Sequence, residues 1–449
     1  MLSLEDLTKL IDAGEIDTVV IAGTDMQGRL YGKRLSARHF LKAGVDGVHT
    51  CSVVLGWGQD HSLDPGYEFT GWDTGYPDFV SHPDMATLRL CAWQPRTAIV
   101  LADARSLDGG PVTVSPRAVL AKILEKVRTK GLIPYAASEL ELYLLQETAQ
   151  SSFDKGYVNL ATKHPVMHPE TVVRSSEDEH YVGELRRALE ASGIPVEMVK
   201  AEYSPGQIEL NLDYAEAMDS ADRHVLFKTA AKELAHLHDI SATFMAKWHH
   251  DFGGSSCHIH MSMLNEDGGS AFQDEAGNDT ETLRHFLGGL THHARDFFLF
   301  FAPNTNSYKR LVPNTFAPSK ITWGEDNRTV AFRLMGEAKA RRVENRIPGA
   351  DINPYLCYSA MLAAGLYGIE NQLEPLGQPE TGNAYASEDG DSIPSSLGEA
   401  TEAFLTSEVV AEILGDDVRA HYGNWGNQTL AAASRHVTDF ERRILLHDI

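Results

Sequence analysis

Four short segments of this sequence place a charged or polar side chain at every second position and an apolar one between them. They are residues 138–145, 207–211, 257–263 and 341–347. Because successive side chains of a β-strand point to opposite faces, each segment predicts a strand with one polar face. The polar faces carry carboxylates, amides, imidazoles and guanidinium groups: Glu139, Glu141, Gln207, Glu209, Asn211, His258, His260, Ser262, Arg342, Glu344 and Arg346.

These side chains suit a divalent cation and a phosphorylated substrate. Carboxylates and a neutral imidazole bind Mg²⁺ or Mn²⁺, and a site with several cations needs several carboxylates to balance their charge. The candidate metal ligands are five carboxylates and one imidazole: Glu139, Glu141, Glu202, Glu209, Glu344 and His258. Interleaved arginines bind polyphosphates and carboxylates. The combination is typical of an ATP-dependent ligase or kinase, and four ordinary solvent-exposed strand faces are the alternative.

The common phosphate-binding loops are absent from the sequence, which excludes several nucleotide-binding classes. Neither G-x-x-x-x-G-K-[ST] nor a G-x-G-x-x-G after a strand occurs. The sequence therefore does not predict a P-loop enzyme, a dinucleotide-binding fold or a protein kinase. Residues 251–256 (DFGGSS) are rich in glycine, which allows the backbone to approach a ligand closely.

The composition is that of a large acidic globular protein. The chain has 449 residues and a formal net charge of −24 at pH 7, so we expect neither a nucleic acid nor a membrane as partner. Four widely spaced cysteines without a C-x-x-C pair favour a reducing compartment over a disulfide framework or a zinc site. The acidic start of the sequence does not resemble a secretory signal, and a cytoplasmic protein is predicted.

The pattern of strands and helices predicts an α+β protein with two domains. Residues 1–108 are rich in strands, and residues 112–449 begin with a helix that Ser115 is expected to cap. A long helix is predicted over residues 216–239, with His224 as a surface or capping residue. Its apolar stripe consists of Leu226, Ala230, Leu234 and Leu237.

Six longer motifs make the chain similar to glutamine synthetases of the bacterial type over nearly its whole length. The motifs are SELEL (138–142), AEYSPGQIEL (201–210), FMAKW followed by GGSSCHIHMS (244–262), NSYKRLVP (306–313), NRTVAFR (327–333) and KARRVENRIPGADINPYL (339–356). The resemblance implies an N-terminal β-grasp domain and a catalytic domain whose antiparallel sheet forms a funnel surrounded by helices. It also implies a homo-oligomer, commonly a dodecamer, with active sites between subunits.

The resemblance implies a role for each matching residue. One metal ion would be held by Glu139, His258 and Glu344, and another by Glu141, Glu202 and Glu209. Glutamate would bind at Gly254, Arg310 and Arg346, and the catalytic residues would be Arg328 and Glu141. The ATP site would be formed by Glu197, His260, Ser262, Arg328, Arg333, Lys339 and Arg342.

The implied reaction uses glutamate, ATP and Mg²⁺ or Mn²⁺ in two steps. The γ-carboxylate of glutamate attacks the γ-phosphate of ATP, and an amine then displaces phosphate from γ-glutamyl phosphate to leave an amide. All six implied metal positions hold suitable residues. We therefore expect an active ligase, with a catalytically inactive, ring-forming relative as the alternative.

Two departures from the family pattern concern the amine. The glutamate that follows NSYKRLVP in glutamine synthetases is Phe316 here, and residues 50–53, beginning with Thr50, lack the aspartate that helps to bind ammonium. Because ammonium needs carboxylates to attract it and to accept its proton, we expect an organic amine instead. The sequence around Phe316 also resembles γ-glutamylpolyamine and γ-glutamylethanolamide synthetases. In the alternative, a true glutamine synthetase, another acid replaces the lost ones: Glu68, Asp73 or Asp78.

Overall fold

The computed structural model describes residues 1–167 and 170–449, and these residues build two β-sheets. The elements of the first sheet and its helices are α1 (Leu4–Asp12), β1 (Thr18–Thr24), β2 (Leu30–Ser36), α2 (Ala37–Lys42), β3 (Val48–Cys51), β4 (Asp78–Pro83), β5 (Arg89–Leu90) and β6 (Thr97–Arg105). The strand order is β2-β1-β6-β4-β3, with β5 beside β6, and β1 runs parallel to β6. The buried apolar side chains of α1 and α2 pack with those of β1 and β6 in one cluster.

The second sheet is larger and mainly antiparallel. The strands are β7 (Leu132–Leu145), β8 (Val196–Ala201), β9 (Gln207–Leu212), β10 (Ala215–Glu216), β11 (Ser241–Thr243), β12 (Cys257–Asn265), β13 (Trp323–Glu325), β14 (Phe332–Met335) and β15 (Arg342–Asn345). Their order is β13-β14-β15-β12-β7-β9-β8, with β10 and β11 also paired to β7. Only β13 and β14 are parallel among these pairs. The predicted α+β fold with an N-terminal β-grasp sheet and a mainly antiparallel second sheet is confirmed.

Helices accompany the second sheet. They are α3 (Pro116–Arg128), α4 (Ala149–Asp154), α5 (Val172–Glu177), α6 (Glu179–Ala191), α7 (Ala217–Leu237), α8 (Glu281–His293), α9 (Phe298–Phe301), α10 (Pro354–Glu370), α11 (Leu397–Thr406), α12 (Glu408–Leu414), α13 (Asp416–Ser434) and α14 (Asp439–Leu445). The predicted domain boundary, between residues 108 and 112, falls in the connection between β6 and α3. Across residues 1–167 and 170–449, we find no helix with both the length and the apolar character needed to traverse a lipid bilayer.

The alternation of polar and apolar residues predicted from the sequence determines which face of the second sheet packs into the hydrophobic core. Leu140 and Leu142 of β7, and Ile259 and Met261 of β12, are completely buried in a cluster that includes side chains of α3, α7 and α10. Because strand side chains alternate, the residues between them point to the opposite face. The helices therefore cover the apolar face of the sheet, and the acidic and imidazole side chains lie on the other.

Two local predictions are wrong, and a third is confirmed only in part. Ser115 occupies the N-cap position of α3 as predicted, but its buried hydroxyl makes no capping bond to any residue in the described part of the chain. Leu237 ends the predicted stripe but is exposed, since it is the last residue of α7. His224 is buried, because α7 is enclosed by β7, α6 and α10, and its Nδ1 lies 3.0 Å from the Ser138 hydroxyl. Burial holds the pKa of His224 well below its usual value.

A buried imidazole makes the stability of the protein dependent on pH. The His421 ring of α13 lies 4.8 Å from the Tyr67 ring, and burial lowers the pKa of His421 from 6.5 to about 4. Since the unfolded chain takes up this proton at higher pH, stability falls as the pH decreases from about 6.5 to 4, by roughly 3 kcal/mol. In urea unfolding at several pH values, we expect His421→Phe to flatten this slope. The same change at exposed His436 should leave the slope as in the wild type.

Candidate active site

The register of neighbouring strands brings the predicted polar segments together. The strands β15, β12, β7 and β9, which contain the four segments, are consecutive neighbours in the sheet. Residues that lie directly opposite one another are Glu139 and His258, Glu141 and Glu209, and His260 and Glu344. Side chains from widely separated parts of the sequence therefore meet on one face of one sheet.

The first cluster of ligating groups consists of Glu139, His258, His260 and Glu344. The Nδ1 atom of His258 lies 3.2 Å from a Glu139 carboxylate oxygen and 3.4 Å from one of Glu344. The Nε2 atom of His260 lies 2.7 Å from the other oxygen of Glu139. One ligating atom each from Glu139, His260 and Glu344 lie within 4.8 Å of one another. The predicted ligands Glu139, His258 and Glu344 are thus adjacent, with His260 beside them.

The second cluster consists of Glu141, Glu202 and Glu209, and one oxygen of each lies within 4.8 Å of the others. Glu141 accepts hydrogen bonds from the Ser256 amide at 2.9 Å and from the Ser256 hydroxyl at 2.5 Å. Gln207 donates to the same carboxylate at 2.9 Å. These donors fix the orientation of Glu141, while Glu202 follows the end of β8 and Glu209 lies in β9.

The two clusters differ in their electrostatics. Burial acts to raise the pKa of Glu139, but hydrogen bonds from His258 and His260 hold it well below its usual range. In the second cluster, burial and the charge of Glu202 raise the pKa of Glu141. Burial and the nearby Glu139 raise the pKa of Glu209 to about 8. Close carboxylates in a buried site repel one another, and a divalent cation between them would relieve this repulsion.

Two buried arginines lie beside the clusters. Arg346 donates to Glu344 at 2.5 Å and to the Phe316 carbonyl at 3.5 Å. Arg310 donates to the carbonyls of Ile347 and Arg346 at 2.8 and 3.1 Å. A guanidinium carries five N–H donors, so these contacts leave others free to bind a carboxylate substrate.

Gly254 is required because Arg310 packs directly over it. A Cβ atom at this position would collide with the Arg310 side chain and lie 2.8 Å from the Ala246 carbonyl oxygen. We therefore expect Gly254→Ala to displace Arg310 and to raise, about 10- to 100-fold, the KM for the carboxylate substrate, which the sequence resemblance implies to be glutamate. Steady-state kinetics with varied glutamate measure this. Gly71→Ala, where the nearest atom lies 3.9 Å away, is the control that should leave KM unchanged.

Two further arginines extend the polar face. Arg333 donates to Glu344 at 3.1 Å and also contacts Asp326. Arg342 donates through Nε to Nδ1 of His260 at 3.1 Å. Since an arginine Nε–H can only donate, Nδ1 of His260 is the acceptor and Nε2 carries the proton that it shares with Glu139. These arginines surround the first cluster with positive charge.

The remaining predicted residues are less closely gathered. Arg328, Lys339 and Glu197 are exposed, and Ser262 is half-buried on the same face of β12 as the two histidines. Arg328 lines an open cleft with Asp326 and Arg333. Glu197 lies at an irregularity of β8, and Lys339 lies in a short 3₁₀ turn before β15.

The two candidate residues of the amine pocket lie in different parts of the fold. Phe316 is 63% exposed and has a positive φ angle of 59°. Thr50 lies on β3 of the first sheet, where its hydroxyl is 2.8 Å from that of Ser81. The alternative acids Glu68, Asp73 and Asp78 are exposed.

Sequence reasoning missed several residues that complete the site. Ser256 supplies two hydrogen bonds to Glu141, and Lys200 contacts Glu202 and lies 3.5 Å from Glu209. The sequence signal that could have identified Lys200 as a site residue is its position directly before the AEYSPGQIEL motif. Ser256 directly precedes the histidine strand, and its proximity to Glu141 depends on a pairing that no local pattern predicts.

Comparisons with known proteins agree with this geometry. Residues 113–445 match the protein-family model described as "Glutamine synthetase, catalytic domain". The γ-glutamylethanolamide synthetase GlnA4 of Streptomyces coelicolor is 41% identical, over 98% of this chain and 95% of that protein. The glutamate–isopropylamine ligase of a Pseudomonas species is 39% identical, over 96% and 95% of the two chains.

Solved structures give the same result. The ADP complex of GmaS superposes with a TM-score of 0.85 at 29% identity, over 98% of this chain and 99% of that one. The predicted similarity to synthetases of γ-glutamyl amides is confirmed by the two curated relatives. Matches of this length and identity, on a fold that aligns from end to end, place the chain in the glutamine synthetase family of ATP-dependent carbon–nitrogen ligases.

Proposed function

We propose that this protein joins glutamate to an organic amine through γ-glutamyl phosphate, at the expense of ATP. The observation that carries the proposal is the convergence of two clusters of ligating side chains and two buried arginines on one face of the second sheet. An ATP-dependent ligase needs this combination, because it must neutralise a polyphosphate and orient a carboxylate substrate.

The side chains of both clusters fit divalent cations such as Mg²⁺ or Mn²⁺. Glu139, His258 and Glu344 would hold one ion, since Nδ1 of His258 lies 3.2 Å and 3.4 Å from oxygens of the two carboxylates. Glu141, Glu202 and Glu209 would hold another, since one oxygen of each lies within 4.8 Å of the others. Oxygen-rich donor sets of this kind are those that hard cations prefer. Bound ions would supply positive charge to the phosphate and carboxylate oxygens that react.

The arginines and Gly254 would position the substrates. Arg310 and Arg346 would bind the carboxylates of glutamate, with the backbone at Gly254 closing one side of the pocket. A γ-carboxylate oxygen then forms a bond to the γ-phosphorus while the bond to the ADP oxygen breaks, and Arg328 would neutralise the transferring phosphoryl group.

The remaining ATP contacts and the second step follow from the same arrangement. The ATP contacts would come from Glu197, His260, Ser262, Arg333, Lys339 and Arg342. In the second step the amine nitrogen bonds to the γ-carbonyl carbon, and the bond to the phosphate oxygen breaks. Phosphate leaves, and the amine proton passes to a basic group such as a carboxylate of the second cluster.

An organic amine is the favoured nucleophile. The positions that carry acids for ammonium in glutamine synthetases hold Phe316 and Thr50 here, which makes the pocket less anionic. The names of the two curated relatives, an ethanolamide synthetase and an isopropylamine ligase, support this choice. Since Thr50 lies on the first sheet, we further propose that it reaches the active site of a neighbouring subunit in a homo-oligomer, a dodecamer in its commonest form.

Phosphate release tests the proposal directly. The purified protein is supplied with glutamate, ATP and Mg²⁺, together with ammonium, ethanolamine, isopropylamine or putrescine. We expect at least one organic amine to support a higher kcat/KM than ammonium, and mass spectrometry to detect the corresponding γ-glutamyl amide. Turnover with ammonium alone would show a glutamine synthetase instead, and no turnover or Mg-ATP binding would show an inactive relative.

A further inference from the structure

A cluster of aromatic rings lies next to the second carboxylate cluster. The rings of Tyr143, Trp248 and Phe252, which we call the aromatic wall, have centroids 5.6 to 6.5 Å apart. Tyr143 and Phe252 are nearly parallel, with an angle of 17° between their planes. The His249 ring stacks on Phe252 at 4.5 Å. Two of the three rings of the wall thus belong to one short loop, residues 248–252.

The inner end of the wall is attached to the active site. Tyr143 follows Glu141 by two positions in β7, so both side chains lie on the same face of the sheet. The Tyr143 hydroxyl donates to the Gly253 carbonyl at 2.7 Å. Gln207, opposite Tyr143 in the sheet, donates to both Glu141 and the Gly254 carbonyl. The wall therefore begins beside the carboxylates where the amine must react.

The outer end of the wall reaches solvent. Tyr143 is completely buried, whereas Trp248 and Phe252 are half-buried. The next residues outward, His250 and Asp251, have side chains that are 82% and 70% exposed. Rings that served only the core would be covered on all sides. Trp248 and Phe252 are instead partly exposed, so the wall runs from the buried Tyr143 ring beside Glu141 to rings that solvent can reach.

We propose that the aromatic wall binds the organic body of the amine and so selects organic amines over ammonium. This inference rests on the proposed function and assigns a substrate class, short aliphatic primary amines. The amino group would be directed to Glu141 and Glu202, and the carbon chain would lie against Trp248 and Phe252. Aromatic faces bind alkyl groups and attract ammonium groups as well. Ammonium itself has no carbon chain and gains nothing from these contacts.

The test compares organic amines with ammonium in variants of the wall. We expect Trp248→Ala and Phe252→Ala to raise the KM for isopropylamine and ethanolamine roughly 10-fold or more, since each carbon group in an apolar pocket carries this much discrimination. The kcat/KM for ammonium and the KM for glutamate should stay within about twofold of the wild type. Trp248→Phe should keep most of the affinity for the amine. His250→Ala, at the exposed end of the same loop, is the matched control.

The outcomes separate this inference from the proposed function. If the wild type uses organic amines but the variants of the wall retain their KM for these amines, the inference fails and the proposed function stands. An equal rise in the KM for glutamate would also overturn it, because the loop would then only support the glutamate site. Phe252→Leu, which keeps apolar volume, serves if an alanine variant does not fold. A wild type that uses only ammonium overturns both proposals.

Discussion

Replacing Glu209 by glutamine should abolish most activity and at the same time stabilise the metal-free protein. Glu209 is buried, and one of its oxygens lies within 4.8 Å of an oxygen of Glu141 and of Glu202, a proximity that calls for a cation. Glutamine keeps the shape and the hydrogen bond with Asn211 but loses the charge that would hold the proposed ion. Because a bound cation supplies several kcal/mol of transition-state stabilisation, we expect kcat to fall about 1,000-fold or more.

The same substitution should raise the stability of the metal-free protein while it lowers activity, because both effects come from the charge of Glu209. Burial and repulsion raise the pKa of Glu209 to about 8, so its ionisation at pH 7 is unfavourable in the folded state and free in the unfolded one. Removing this penalty should stabilise the protein by roughly 2–3 kcal/mol in the presence of EDTA, as measured by urea unfolding. Glu388→Gln, at an exposed glutamate, should change neither quantity. A loss of both activity and stability would mean that Glu209 is structural.

The sequence pattern predicts the faces of the strands well because burial follows the alternation of side chains. Leu140 and Leu142 are buried, and Glu139 and Glu141 point the other way, as period two requires. The pattern does not contain the order of the strands. That order, which places β12 between β7 and β15, depends on pairings between residues far apart in the sequence, such as His258 with Glu139 and His260 with Glu344.

The same distinction explains which site residues were predictable. The candidate ligands on strands follow the local alternation of polar and apolar residues. Arg328 and Lys339 lie in segments without such an alternation, so only the resemblance assigned them a role. His224 was misplaced because a helix that is enclosed on several sides has no single polar face, so a histidine on it can be buried. Tyr143 lies on the same face of β7 as Glu139 and Glu141, as the alternation predicts, but its aromatic neighbours come from a distant loop.

The second large effect is expected at Arg117, which joins the first sheet to the helices behind the second. Its guanidinium lies 2.6 Å from Asp84, contacts Asp103, and donates to Asp222 at 3.2 Å through both Nε and Nη2. Asp222 also accepts from the Tyr355 hydroxyl at 2.7 Å. Arg117 and Asp222 are buried, so Arg117→Met would leave a buried carboxylate without its cation. We expect a loss of about 3–5 kcal/mol in the free energy of unfolding.

A double variant distinguishes this electrostatic effect from a simple loss of packing. Arg117→Met combined with Asp222→Asn removes both buried charges, and we expect it to recover more than half of the lost stability in urea unfolding. Arg38→Met, at an exposed arginine of α2, should have no measurable effect. If the double variant is as unstable as Arg117→Met alone, the packing of the arginine side chain accounts for the loss. Recovery would show that the charge of Asp222 requires Arg117, and that this pair links Asp84 and Asp103 of the first sheet to α7.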